Sequence, residues 1–210
     1  MGDAKRLKEE IVTIGKLLYE RGLVSGTAGN ISARVDDEYM LITPSGRCKG
    51  FLIESDIMTV SIKSGKAKDK GTPSIETPLH AAIYNRREDV FAIIHTHPVH
   101  CTVLAVAGKK LNSSLIPEGV LVLGDVPLIP YRTPGSTELA CLLGDNITNR
   151  NALLLEKHGA VTVGSNLLEA FLRLETLEFI ATLQVHLGLE IENLGLSDDE
   201  LRIILQKKQL

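Results

Sequence analysis

The sequence predicts an α/β fold built on a central mixed or antiparallel sheet flanked by helices. Three observations carry this. Residues 90–94 and 152–155 are short unbroken apolar runs, the mark of strands buried on both faces. Leu7, Ile11, Ile14 and Leu18, and later residues 167–187, place apolar side chains at helical spacing. Strand-like and helix-like segments alternate, but without the regularity of successive βαβ units that a wholly parallel sheet requires.

Taken in order, the first helix stops at Gly22, and a polar glycine-rich stretch follows, Ser25-Gly-Thr-Ala-Gly-Asn30. Residues 31–35 and 39–43 read as a hairpin around Asp36-Asp37-Glu38, and Thr43-Pro-Ser-Gly46 as a turn. Residues 57–62 form a strand ended by Lys63-Ser-Gly65. A helix over 76–87 follows Pro73-Ser74 and buries Leu79, Ala82 and Ile83. The strand at 90–94 runs into His95-Thr-His97-Pro98, and Pro98 opens a helix through about Ala107. Residues 121–128 look strand-like, and Gly135-Ser136 opens a helix carrying Leu139, Leu142 and Leu143. The strand at 152–155 leads into Glu156-Lys-His158-Gly159. The long helix 167–187 comes next, then a short one announced by the capping-box pair Ser197 and Glu200. With no repeat, low-complexity segment or long linker, residues 1–210 are expected to form one domain.

Composition removes several classes of function. Apolar residues make up 44% of the 210, ordinary for a globular chain, and the net charge of −3 gives no general basic footprint for nucleic acid. Aromatics are 4% with no tryptophan, which disfavours base-stacking platforms. No apolar run approaches the roughly 20 residues that cross a bilayer, so no membrane partner is expected. The charged segment 1–10 lacks the apolar core of a signal peptide. Cys48, Cys101 and Cys141 are widely spaced, without a CxxC pair, and read as reduced thiols of a cytoplasmic protein.

The chemistry concentrates in the histidines. His95 and His97 stand two apart where a buried strand ends, so strand periodicity sends both to one face, about 6.5 Å apart along the chain. His158 also follows a buried strand and precedes a glycine. Three imidazoles plus an oxygen ligand or water form a catalytic zinc set. His80 and His100 are each a conceivable ligand, but His80 reads better as a packed or partner-facing residue, His100 as a neighbour of the site that does not bind metal, and His186 as a surface or C-terminal-turn residue. Glu76, near a helix start, has two readings: a carboxylate stabilised by the helix dipole, or a fourth metal oxygen or general base. Thr27-Ala-Gly-Asn30, Thr43-Pro-Ser-Gly46 and Ser74 offer hydroxyls and free backbone N–H groups, either as plain turns or as a cradle for phosphate. No Walker A or GxGxxG pattern indicates a nucleotide.

These residues resemble the class II aldolase/adducin family over about residues 7–204. The likeness is carried by Gly26-Thr-Ala-Gly-Asn-Ile-Ser32, Thr43-Pro-Ser-Gly46, Ser74-Ile-Glu76, His95-Thr-His-Pro-Val-His100, Pro130-Tyr-Arg-Thr-Pro-Gly-Ser136 and Lys157-His-Gly159. The resemblance implies an α/β/α sandwich around a mostly antiparallel sheet, and one Zn²⁺ per subunit on His95, His97 and His158. It implies that Glu76 both binds the resting metal and moves protons. Thr27, Gly29, Asn30, Ser45, Gly46 and Ser74 would then surround a substrate phosphate. The implied activity is reversible cleavage of a ketose 1-phosphate of the L-fuculose type to dihydroxyacetone phosphate and a small aldehyde such as lactaldehyde, by a homotetramer with sites near subunit interfaces. Two departures stand out: Ile75 replaces a usual serine, and residues 201–210 contain no tyrosine. Three rivals follow. A pentulose-phosphate 4-epimerase would typically carry aspartate in place of Glu76. A methylthioribulose-1-phosphate dehydratase or aldolase would draw on Glu118. An adducin-like interaction module would lack catalysis.

Overall fold

The computed structural model describes residues 2–189, 191 and 194–207, so both ends of the expected domain, Met1 and 208–210, lie outside the described residues. The chain runs α1 (Gly2–Glu20), β1 (Asn30–Arg34), β2 (Tyr39–Ile42), β3 (Met58–Ser61), α2 (Thr77–Arg86), β4 (Ala92–Thr96), α3 (Val99–Val106), β5 (Leu128–Ile129), α4 (Thr137–Asn146), β6 (Ala152–Leu155), β7 (Gly159–Gly164), α5 (Leu167–Leu187) and α6 (Asp198–Lys207). The seven strands form one sheet in the order β3-β2-β1-β4-β7-β6-β5. Every neighbouring pair is antiparallel except β5 with β6.

Alternation along the strands explains the unbroken apolar runs. Ala92 and Ile94 of β4 point into one core with Ile11, Leu104, Phe171 and Leu174, from α1, α3 and α5. Ile93 between them points into a second core with Leu79, Ile83, Leu139 and Leu143, from α2 and α4. β6 divides likewise, Leu154 to the first core and Leu153 and Leu155 to the second. A strand covered on both faces needs no polar side. The sheet is therefore sandwiched between two helical layers.

Some expectations shift. The strand expected at 90–94 runs instead from Ala92 to Thr96 and takes in His95. The helix expected from Glu76 starts at Thr77, with Glu76 at the capping position. It buries Leu79 and Ile83 together with His80 and Tyr84, whereas Ala82 is only half-buried. The strand expected over 121–128 is a correction. Gly119–Leu123 is a π-helical turn, burying Val120 and Leu123 three apart, and only Leu128–Ile129 pairs with β6. Gly124, at φ +70°, breaks the run, and Pro127 has no N–H for a ladder.

Candidate metal centre and active site

Antiparallel pairing assembles the site. β4 ends beside the start of β7, with Thr96 opposite Ala160, so the turn joining β6 to β7 brings His158 to His95 and His97. β1 starts beside the end of β4, with Asn30 opposite His95, so the glycine-rich loop before β1 arrives at the same place. Two close approaches require glycine. A Cβ on Gly159 would stand 2.4 Å from His97 Cδ2 and 2.5 Å from Thr96 O. One on Gly29, at φ +77°, would stand 2.8 Å from His95 O. Lys157 is the one non-glycine at positive φ (+55°) among the described residues, and it makes the turn that delivers His158.

The ligand nitrogens of His95, His97 and His158 all lie within 4.8 Å of one another. His95 is fully buried, and its Nδ1–H donates to the Ala160 carbonyl at 2.9 Å, which leaves Nε2 bare in the neutral ring. That bare nitrogen lies 3.2 Å from His97 Nε2 and 3.0 Å from Glu76 Oε2, while Glu76 Oε1 lies 3.4 Å from His158 Nε2. Separations of 3.0–3.4 Å are in the range for donors that share one cation at roughly 2.0–2.1 Å each. Glu76 Oε1 and His158 Nδ1 are buried without a hydrogen-bond partner, and a cation held by this cluster would offset part of that cost. The donor set therefore fits a zinc-class metal on His95, His97 and His158 with Glu76 alongside.

Electrostatics agree. Burial, helped by the neighbouring His95, lowers His97 and His158 to about 4, so both are neutral donors at neutral pH. Burial works against the charge on Glu76, whereas the facing His95 and His158, when they carry a proton, and the Asn30 N–H favour it and bring its carboxyl below the usual range.

The residues expected around a phosphate line two loops close to this centre. Asn30 donates its Nδ2–H to Glu76 Oε2 at 2.9 Å. Ser74 is buried, its hydroxyl accepts from the Glu76 backbone N–H at 3.2 Å, and its own N–H reaches Thr43 O. Ser45 N–H bonds Thr72 O, so the Thr43-Pro-Ser-Gly46 turn runs beside the Ser74 segment, with Gly46 at φ +71°. Lys49, almost wholly buried, donates to Thr27 O at 2.8 Å and Arg47 O at 2.6 Å and so ties the two loops together. Gly135 packs against the backbone of the largely exposed Ile75, bringing the 130–136 segment to the same rim. Glu118 is exposed beside the π-helical turn.

The remaining histidines sort cleanly. His80 is fully buried in a polar network. His100 bonds Glu178 through Nδ1, and the Glu178 carboxylate also accepts from the His100 and Cys101 N–H groups, capping α3. His186 is exposed. Sequence reasoning missed Lys49 and the use of His80. A lysine after a turn gives no periodic signal of burial, and the His80 partners Asn30 and Ser32 lie 50 and 48 residues away in the chain.

Comparison with known proteins accords with this geometry. A family model described as "Class II Aldolase and Adducin N-terminal domain" matches residues 9–185. An L-fuculose phosphate aldolase of Methanococcus vannielii is 41% identical over 83% of this chain and 93% of its own length. A 3-oxo-tetronate 4-phosphate decarboxylase of Cupriavidus necator is 37% identical over 87% and 85% respectively. A solved L-fuculose 1-phosphate aldolase superposes with a TM-score of 0.88 at 33% identity, covering 98% of this chain and 97% of that one.

Proposed function

Because the chain belongs to the class II aldolase and adducin family, we propose that it is a zinc-dependent lyase, one domain over residues 1–210, that cleaves a ketose 1-phosphate of the L-fuculose type to dihydroxyacetone phosphate and a small aldehyde. The observation that carries this reading is the convergence of three imidazoles and one carboxylate oxygen without a hydrogen-bond partner beside two loops tied together by Lys49. An interaction module has no need of such a cluster.

The hard step is to hold negative charge on the carbon next to the ketone once the C–C bond breaks. His95, His97 and His158 would hold the zinc, which when bound would supply Lewis acidity for that charge. Glu76 carries the proton to or from that carbon, through Oε1, the oxygen left without a partner. Asn30 holds the other oxygen and fixes the carboxylate plane. Thr27, Gly29, Ser45, Gly46 and Ser74, joined through Lys49, seat the phosphate and so orient the ketone. A homotetramer and a cytoplasmic location belong to the same proposal. The exposed Val99, Val103 and Val106 of α3, next to His97, support the tetramer as a face for a second copy.

The decarboxylase relatives favour a second reading. Loss of CO₂ from a 3-oxo-tetronate 4-phosphate breaks the bond to the same kind of carbon and leaves the same three-carbon enediolate. Only the departing group differs, and CO₂ leaves without deprotonation of a hydroxyl. An aldol cleavage needs that deprotonation as well. One panel assay separates these readings. It offers fuculose, ribulose, methylthioribulose and 3-oxo-tetronate phosphates and identifies the products. Aldehyde release from the first with the highest kcat/KM is expected; CO₂ release from the last as the dominant reaction would overturn the aldolase reading.

A further inference from the structure

Behind the Asn30–Glu76 bond runs a file of buried polar side chains that no step above uses. Asn30 and Ser32 are two apart on β1 and share a face; His80 and Tyr84 are four apart on α2 and share another. The two faces meet. His80 Nε2 lies 2.5 Å from Asn30 Oδ1, His80 Nδ1 lies 2.6 Å from Ser32 Oγ, and Tyr84 Oη lies 2.8 Å from Ser32 Oγ. All four residues are less than 5% exposed.

The carboxylate at one end fixes the direction of every bond in this file. Glu76 accepts only, so the Asn30 amide turns its N–H to Glu76 and its oxygen to His80. That oxygen accepts only, so His80 carries its proton on Nε2. His80 Nδ1 then has a lone pair, which takes the Ser32 O–H, and the Ser32 oxygen takes the Tyr84 O–H, which also lies 3.5 Å from Phe91 O. Burial keeps the His80 ring neutral, as this requires. Without the His80 N–H, the Asn30 amide is free to rotate by half a turn, and its oxygen would then oppose the Glu76 carboxylate.

We propose that His80 is a positioning residue. Through the Asn30 amide it holds Glu76 in the single orientation that directs Oε1 to the metal and substrate. This rests on the reading that Glu76 is the working carboxylate. A merely structural histidine would satisfy buried groups and leave turnover alone once the protein has folded.

Two measurements decide. Long-range ¹⁵N–¹H spectra of the zinc-loaded protein at neutral pH should show His80 as the Nε2–H tautomer, and an Nδ1–H tautomer overturns the proposal. The second compares His80→Leu, His80→Gln, whose amide restores an N–H of similar reach, and Ile83→Ala, a buried apolar change on the same helix. Relative to wild type, His80→Leu should weaken zinc affinity about 10-fold in chelator competition, the scale for partners behind metal ligands. It should also lower kcat about 10-fold or more with KM within about 3-fold. Gln should recover most of both losses, and Ile83→Ala should lower the melting temperature while affinity and kcat hold. Zinc affinity and kcat within about 2-fold of wild type in folded His80→Leu, or equal losses in Ile83→Ala, overturn the proposal. Should His80→Leu not fold, the tautomer and His80→Gln decide. Should the wild type turn over none of the panel, the substrate reading fails separately, and tautomer and zinc affinity still decide this one.

Discussion

His95 shows how one backbone bond sets chemistry at a site. Its Nδ1–H is committed to the Ala160 carbonyl, so in the neutral ring Nε2 presents a lone pair, 3.0 Å from Glu76 Oε2. Glu76 in turn is asymmetric: Oε2 is bonded to Asn30, Oε1 to nothing. An oxygen with an open lone pair in a dry site is suited to take and return a proton. Glu76→Gln should therefore keep the fold, checked by circular dichroism, while kcat falls on the order of 10²-fold or more. Near-normal turnover would move the role to another group. The convergence of His95, His97 and His158 was legible in the sequence, because a two-residue spacing at a strand end and a His-Gly after a second buried strand are local patterns. The roles of Asn30, His80 and Lys49 were not. Asn30 reads as a phosphate loop residue, yet its side chain spans Glu76 and His80, partners 46 and 50 residues away. Such partnerships exist only after folding.

At the scale of elements, the site depends on how closely two backbones approach. Gly159 opens β7 with His97 packed against the place where its Cβ would be. Gly159→Ala must push His97 or the end of β4 aside. The expected cost is about 1–3 kcal/mol of stability, the scale for overpacking, together with weaker metal binding. Urea unfolding of the two proteins loaded with zinc and stripped of it measures both, and an unchanged midpoint in each state would count against the close approach. Long elements with a strong period were legible: α5 covers Leu167–Leu187 as its pattern predicts, and Ser197 and Glu200 do cap α6. The stretch 121–128 misled because a short apolar run fits a buried strand or a buried helical turn equally well. Gly119, Gly124 and Pro127 chose between them.

Across the whole molecule, the antiparallel order of β1, β4 and β7 gathers residues from positions 27 to 158 at one place. The layered architecture was legible from alternation and amphipathic spacing, but the strand order was not, since pairing partners are set by long-range packing. Lys49 gives the assembled loops a measurable signature. Burial lowers it from its ordinary 10.5 to about 8, against a small opposing effect of Cys48. Between those values the unfolded chain holds a proton that the folded chain has lost, so this group makes stability rise with pH. Below about pH 8 its contribution no longer changes. Relative to Lys49→Met, wild type should gain stability from pH 8 towards 10.5, at up to roughly 1 kcal/mol per pH unit, when melting is followed across that range. Parallel curves for the two proteins would contradict a buried, charge-bearing tie between the loops. The central claim is that this fold exists here to hold a metal for carbon–carbon cleavage, and metal stoichiometry tests it most directly. Elemental analysis of protein reconstituted with zinc and freed of excess should give about one zinc per chain for wild type and little for His97→Ala. Full zinc content in His97→Ala, or none in wild type, would contradict the account.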